Sequence, residues 1–142
     1  MEAELDHSVT EIRQKLQHAG LRPTRQRVAL AELLFAKGDR HLAAEDLHGE
    51  ALASGVGVSL ATVYNTLHQF TDAGMLRILS VEGSRTYFDT NTSDHHHFFI
   101  EEEGEVVDVP VSARLKVENL PEPPDGMEVA NIDVVIRLRR KP

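Results

Sequence analysis

The chain contains no cysteine. Disulfides, thiolate zinc sites and cysteine nucleophiles are excluded together, and the absence fits a reducing cytoplasm. No apolar run approaches the roughly 18 residues that a membrane-crossing helix needs, so neither a membrane span nor a membrane partner is expected. The first residues, Met1 to Asp6, are acidic and polar and lack the apolar stretch of a signal peptide. Internal repeats are also missing. At 142 residues the chain holds one domain or two small ones, and 41% apolar content is enough for a real core.

The net charge of −8 argues against a nonspecific nucleic-acid binder, but the charge is unevenly spread. Residues 12–40 carry seven Arg and Lys against two acidic residues, whereas residues 89–142 carry six against twelve. A basic N-terminal part joined to an acidic C-terminal part points to a division of labour.

Four helices are expected in the first part. Residues 8–19 carry a stripe of Val9, Ile12 and Leu16, stopped by Gly20. Thr24 caps a second helix that runs through Val28, Leu30, Leu33, Leu34 and Phe35 and ends near Gly38. Residues 39–42 read as a loop, and Ala43 or Ala44 opens a third helix closed by Gly55. The fourth helix organises the rest. Ser59 is its N-cap, Gly74 its left-handed stop, and Leu60, Val63, Leu67 and Phe70 its apolar stripe. Its other face carries Thr62, Tyr64, Asn65, Thr66, His68 and Gln69. Hydroxyls, amides and one Tyr suit the reading of base edges in a major groove better than the Lys and Glu pairs of an ordinary solvated face. Two β-type runs, residues 75–81 and 85–88, flank Glu82-Gly83-Ser84 and read as a hairpin, the wing of a winged helix-turn-helix. Arg77 and Arg85 lie on its strands, where phosphates or a minor groove can be met.

Residues 91–94 form a polar linker, giving a DNA-binding domain over 1–90 and a dimerisation and ligand-sensing domain over 91–142. The second part reads as strands over 95–101 and 106–109, a short helix over 112–119, a proline-rich loop over 121–126 and a last strand over 129–138. The fold class is therefore α+β: an N-terminal winged helix-turn-helix domain followed by a small α/β domain. Some fifty residues make a meagre core, which favours pairing with a second copy.

His95, His96 and His97 are the chemical centre of the second part. On a strand His95 and His97 point one way and His96 the other, so the i, i+2 pair is ready to ligate a metal. Haem iron also takes axial histidine and needs apolar walls, which Phe98, Phe99 and Ile100 supply. His7, His18, His48 and His68 are read as surface histidines, and Glu101-Glu102-Glu103 as a solvated turn.

Gly20-Leu21-Arg22-x-Thr24-x-x-Arg27, His41-x-x-Ala44-Glu45-x-Leu47, Ser59-Leu60-Ala61-Thr62-Val63-Tyr64, Ala73-Gly74, Tyr87-Phe88-Asp89 and His95-x-His97 follow one another in this order. In order and spacing they resemble the ferric uptake regulator family over most of the chain. Tyr64-Asn65 and the missing C-terminal cysteines look most like the iron response regulator branch of the α-proteobacteria. The resemblance implies a cytoplasmic, homodimeric transcription regulator, a repressor at promoters of iron-storage, iron-uptake and haem-synthesis genes. Tyr64 would touch a thymine methyl or base edge, with Arg22, Arg25 and Arg27 toward the DNA backbone or a minor groove and Ser59, Thr62 and Asn65 on the same face. His41 and Asp89 match two further ligand positions of the family's regulatory site. With His95 and His97 they make a three-nitrogen, one-oxygen set for Fe(II) or Mn(II), and for Zn(II) in vitro. Haem at His95, His96 and His97 is what the iron response branch implies, and a haem-delivering protein is then a further candidate partner. Most relatives carry Arg where Asn65 stands, which implies a different operator. Ile100 and Glu103 replace the Cys-x-x-Cys that anchors structural zinc in many relatives, and Leu115 and Ile132 fall where a second His-and-carboxylate site would have ligands. The alternatives are a haem or metal carrier on a relic DNA-binding fold, and a mononuclear iron enzyme using His95, His97 and Asp89 as a two-histidine, one-carboxylate triad.

Overall fold

The computed structural model describes residues 2–81, 85–93, 95–110 and 113–142. The chain divides into two units, Met1–Thr92 and Ser93–Pro142. In the first, α1 (Glu2–His18), α2 (Arg25–Phe35), α3 (Ala44–Ala53) and α4 (Leu60–Asp72) are joined by β1 (His41–Leu42), β2 (Arg77–Ser80) and β3 (Thr86–Asp89). The strands form an antiparallel sheet in the order β1-β3-β2. The expected wing is the β2–β3 pair, with Arg77 opposite Asp89 and Ser80 opposite Thr86. Its turn, Glu82-Gly83-Ser84, lies outside the described residues. Leu16, Leu30, Leu34, Leu47, Val63, Leu67, Phe70 and Phe88 are fully buried in one continuous core. Each such side chain contributes roughly 1.5–3 kcal/mol by leaving water.

Local signals account for the helix limits. Thr24 accepts from the Arg27 N–H and Ser59 from the Thr62 N–H, each satisfying a donor that the first helical turn leaves free. At the end of α4 Gly74 takes φ +81°, and the N–H of Met75 reaches back to the Phe70 carbonyl. That closure needs a left-handed residue after the cap, which glycine adopts without a Cβ clash. The stretch read as a loop over 39–42 contains β1, whose two residues are too few to show alternation.

The second unit holds β4 (His97–Ile100), β5 (Glu105–Asp108) and β6 (Val135–Leu138) in the order β5-β4-β6. β4 runs antiparallel to β5 and parallel to β6. Two expectations fail here. The helix expected over 112–119 is reduced, among its described residues 113–119, to a 3-10 position at Ala113, and Arg114 and Asn119 take φ of +46° and +59°. Leu115 and Val117 are both 42% exposed, so no apolar face is buried, and a helix this short does not hold without tertiary packing. The last strand begins at Val135 rather than Val129. Its ladder ends where β4 begins, with the His96 Nδ1 accepting the Val134 N–H at 3.2 Å.

Candidate nucleic-acid interface and metal donors

The amphipathic character of α4 divides its residues between core and solvent. Val63, Leu67 and Phe70 turn inward, while Tyr64, 44% exposed, and Asn65 face solvent with Ser59. Two positions depart from the expected pattern. Leu60, in the first turn, is left 40% exposed, and Thr66 is buried in its place. The Thr66 hydroxyl donates to the Thr62 carbonyl at 2.8 Å, and that bond within the helix lets a polar side chain enter the core. Beside this face Thr24, Arg27, Thr62, Asn65 and Gln69 line a polar groove of about 330 Å³.

The arginines expected around this helix are placed differently from one another. Arg22 and Arg25 are exposed. Arg27 donates from Nε and Nη2 to the Gln69 Oε1, at 3.3 and 3.1 Å, and from Nη1 to the Arg22 carbonyl at 3.0 Å. It ties the start of α2 to α4. Arg77 is half-buried on β2. Arg85 lies with Nη1 3.6 Å from an Asp46 carboxylate oxygen and its guanidinium 5.7 Å from the Tyr87 ring centre. A hydrogen bond to Tyr87 and the charge of Asp46 raise its pKa further. His48, read as a surface residue, lies with Nε2 3.1 Å from the Val58 carbonyl and pins the turn before Ser59. His68, also read as surface, is half-buried between Tyr64 and Phe88.

Metal-donor chemistry occurs in both units. In the first, His41 and Asp89 are cross-strand partners on β1 and β3, with the His41 Nε2 3.9 Å from the Asp89 Oδ2. Asp89 is 2% exposed, and its Oδ1 accepts the Asn91 N–H at 2.9 Å. Arg40 braces this end of β1. Its Nη1 donates to the Leu33 carbonyl and to the Glu50 Oε1, at 3.0 and 2.9 Å, and its Nη2 to the other Glu50 oxygen. That bidentate hydrogen bond raises the Arg40 pKa and lowers that of Glu50.

In the second unit His95 and His97 are buried and lie side by side, ring centres 4.4 Å apart. Asp108 joins them. Its Oδ1 is 3.3 Å from the His95 Nε2 and 3.4 Å from the His97 Nε2. The His95 Nδ1 lies 2.6 Å from the Ser93 carbonyl, an acceptor only, so Nδ1 carries a proton and Nε2 is the nitrogen left to take a cation. A backbone carbonyl on the far nitrogen is how ligating imidazoles are commonly oriented. Two imidazoles and one carboxylate around a single point suit a divalent first-row cation. His96 is not part of this set, since its Nδ1 takes the Val134 N–H on the β6 side. Asp108 was missed in the sequence. Its signal was the register: a hairpin turning over residues 101–104 sets position 108 opposite position 97.

Residues 18–137 match the sequence profile of the ferric uptake regulator family. The chain belongs to the ferric uptake regulator family. A ferric uptake regulation protein of Pseudomonas aeruginosa is 34% identical over 131 residues, covering 89% of this chain and 96% of the relative. One from Vibrio parahaemolyticus is 38% identical over 96 residues, 67% of this chain, and the match spans 64% of that relative's length. Among solved structures, the ferric uptake regulator from Pseudomonas aeruginosa with manganese superposes with a TM-score of 0.70 at 27% identity, covering 92% of this chain and 98% of that one. Ferric uptake regulators are transcription regulators rather than enzymes, which removes the iron-enzyme alternative. Ile100 and Glu103 stand at the places of the Cys-x-x-Cys, and the Glu103 carboxylate accepts from the Arg140 guanidinium. The described residues contain no helix long and apolar enough to cross a membrane.

Proposed function

We propose that this chain is a cytoplasmic, homodimeric transcription regulator that binds promoter DNA through α4 and the wing, with an affinity set by a divalent cation. Tyr64 and Asn65 read bases, Ser59 and Thr62 lie on the same face, and Arg22, Arg25, Arg77 and Arg85 meet phosphates or a minor groove. Arg27 contributes by holding α4. The cation is Fe(II) or Mn(II), with Zn(II) an in vitro substitute, and its donors are His41, Asp89, His95 and His97 together with Asp108. The observation that carries this reading is the triad of His95, His97 and Asp108, whose Nε2 atoms and carboxylate converge in a chain that also exposes Tyr64 on a capped helix.

The finer assignment is to the iron response regulator branch, a repressor at promoters of iron-storage, iron-uptake and haem-synthesis genes. It rests on Asn65 after Tyr64 and on the absence of cysteine. Haem is the second candidate effector, favoured by a buried histidine pair preceding Phe98 and Phe99, with a haem-delivering protein as its partner.

The test is fluorescence anisotropy of a labelled promoter duplex from an iron-storage or haem-synthesis gene, titrated at fixed salt because affinity depends steeply on it. Titrations are run with Mn(II), with haem and with neither. Binding that requires Mn(II) and ignores haem supports the cation reading and removes haem. Release by haem makes haem the effector at the histidines. A dimer with no preference among duplexes under any condition overturns the regulator reading.

A further inference from the structure

Tyr64 and His68 are four residues apart on α4 and so share one face of the helix. Their ring centres are 4.6 Å apart at an interplanar angle of 59°. Both rest on Phe88, at the middle of β3 and fully buried. His68 meets the Phe88 ring at 5.5 Å and 87°, and Tyr64 meets it at 6.4 Å and 89°. Edge-to-face contacts at these separations match the positive ring edge to the negative ring face, and they hold only over a narrow range of angles. An exposed tyrosine on a helix otherwise samples several side-chain rotamers and must be ordered each time it binds. Here His68 lies on one side of the ring and Phe88 at its base, and both contacts favour the orientation seen.

We infer that His68 is a positioning residue for base reading: it holds the Tyr64 ring against Phe88, so that Tyr64 is ordered before DNA arrives. The inference rests on the proposed role of Tyr64 at a base edge. His68 itself needs no contact with DNA. Phe88 is also the strand neighbour of Asp89, so the support under Tyr64 belongs to the same strand as a metal donor.

The experiment uses the whole 142-residue chain with Mn(II) and a duplex selected by the wild-type protein from a random-sequence library. Each thymine of the selected site is replaced in turn by uracil, which lacks only the methyl group. In the wild type, one thymine per half-site is expected to lose about fourfold in affinity, the size of burying one methyl group. Tyr64→Ala abolishes that preference. His68→Ala is expected to abolish it too, with the slope of affinity against salt unchanged because no phosphate contact is lost, and His68→Phe restores it. A second readout does not depend on DNA. The chain has two tyrosines, so labelled tyrosine resolves the Tyr64 ring signals, and in His68→Ala they move toward free-tyrosine values. His68→Gln replaces the alanine variant in both measurements if alanine unfolds the unit. A His68 variant that keeps both the methyl preference and the Tyr64 signals overturns the inference and leaves Tyr64 as the reader. A wild-type scan without such a thymine, or a Tyr64→Ala that retains it, overturns base reading by Tyr64 and the inference with it.

Discussion

The two units fill their interiors with different chemistry. In the first, sixteen buried apolar residues from four helices and the sheet form one cluster. In the second, the buried apolar side chains among the described residues are Phe99, Val106 and Val109, and His95 and His97 are buried with them. The second unit also leaves Leu120, Met127 and Val129 exposed at 50, 70 and 53%. The first unit therefore has the packing to hold its shape with no ligand, and this suits the role proposed for Tyr64 on its surface. The second has buried polar groups in its interior and exposed apolar side chains on its surface, the features that the proposed cation and partner copy would satisfy. The difference teaches that a core closed by apolar side chains needs no further partner to persist, whereas an interior holding buried imidazoles gains stability from whatever pairs with them.

Four measurements sharpen or break that contrast. The largest effect is expected from Phe70→Ala in the first unit, which leaves a cavity in a closed core and lowers unfolding free energy by about 3–5 kcal/mol in urea, with or without Mn(II). Next, Mn(II) at a hundredfold excess over its Kd is expected to raise the stability of the wild-type chain by about 2.7 kcal/mol, reversed by a chelator and lost in Asp108→Asn. If urea unfolding ignores Mn(II), the polar interior is not a cation site and the contrast loses its cause. Third, Tyr64→Ala leaves the urea midpoint nearly unmoved and weakens operator binding by about 1–3 kcal/mol in anisotropy. An unchanged affinity moves base reading to other residues. The smallest effect concerns pH. Hydrogen bonding to Arg40 lowers the folded-state pKa of Glu50, so the stability it contributes is present above the ordinary carboxylate pKa and is lost as pH falls through the lowered one. Both side chains are half-buried at the surface and still meet water, so the change is about 1 kcal/mol. Urea midpoints at pH 7 and pH 3.5 should differ less in Glu50→Gln than in the wild type.

Much of this was legible in the chain before any coordinates. Caps at Thr24 and Ser59, the stop at Gly74 and the inward stripe of Val63, Leu67 and Phe70 each depend on residues within one or two helical turns, and each forms as its spacing implies. The short helix over 112–119 is the instructive failure. Its composition permits a helix, but among its described residues Leu115 and Val117 stay exposed, so no apolar face is buried to hold one. Leu60 and Thr66 exchange roles for a similar reason, since burial on a helix is decided by what lies opposite.

Sequence alone determined the α+β organisation, the capped helix α4 with Tyr64 and Asn65 on its outer face, the separation of His95 and His97 from His96, and the family. These rest on local periodicity or on strings of adjacent residues. Only the tertiary structure decided that Asp108 joins His95 and His97, that Arg27 is bonded to Gln69, and that His68 lies between Tyr64 and Phe88. Each of those pairings depends on strand register or on the packing of distant elements, and these are set by the closing of a whole core rather than by neighbours along the chain.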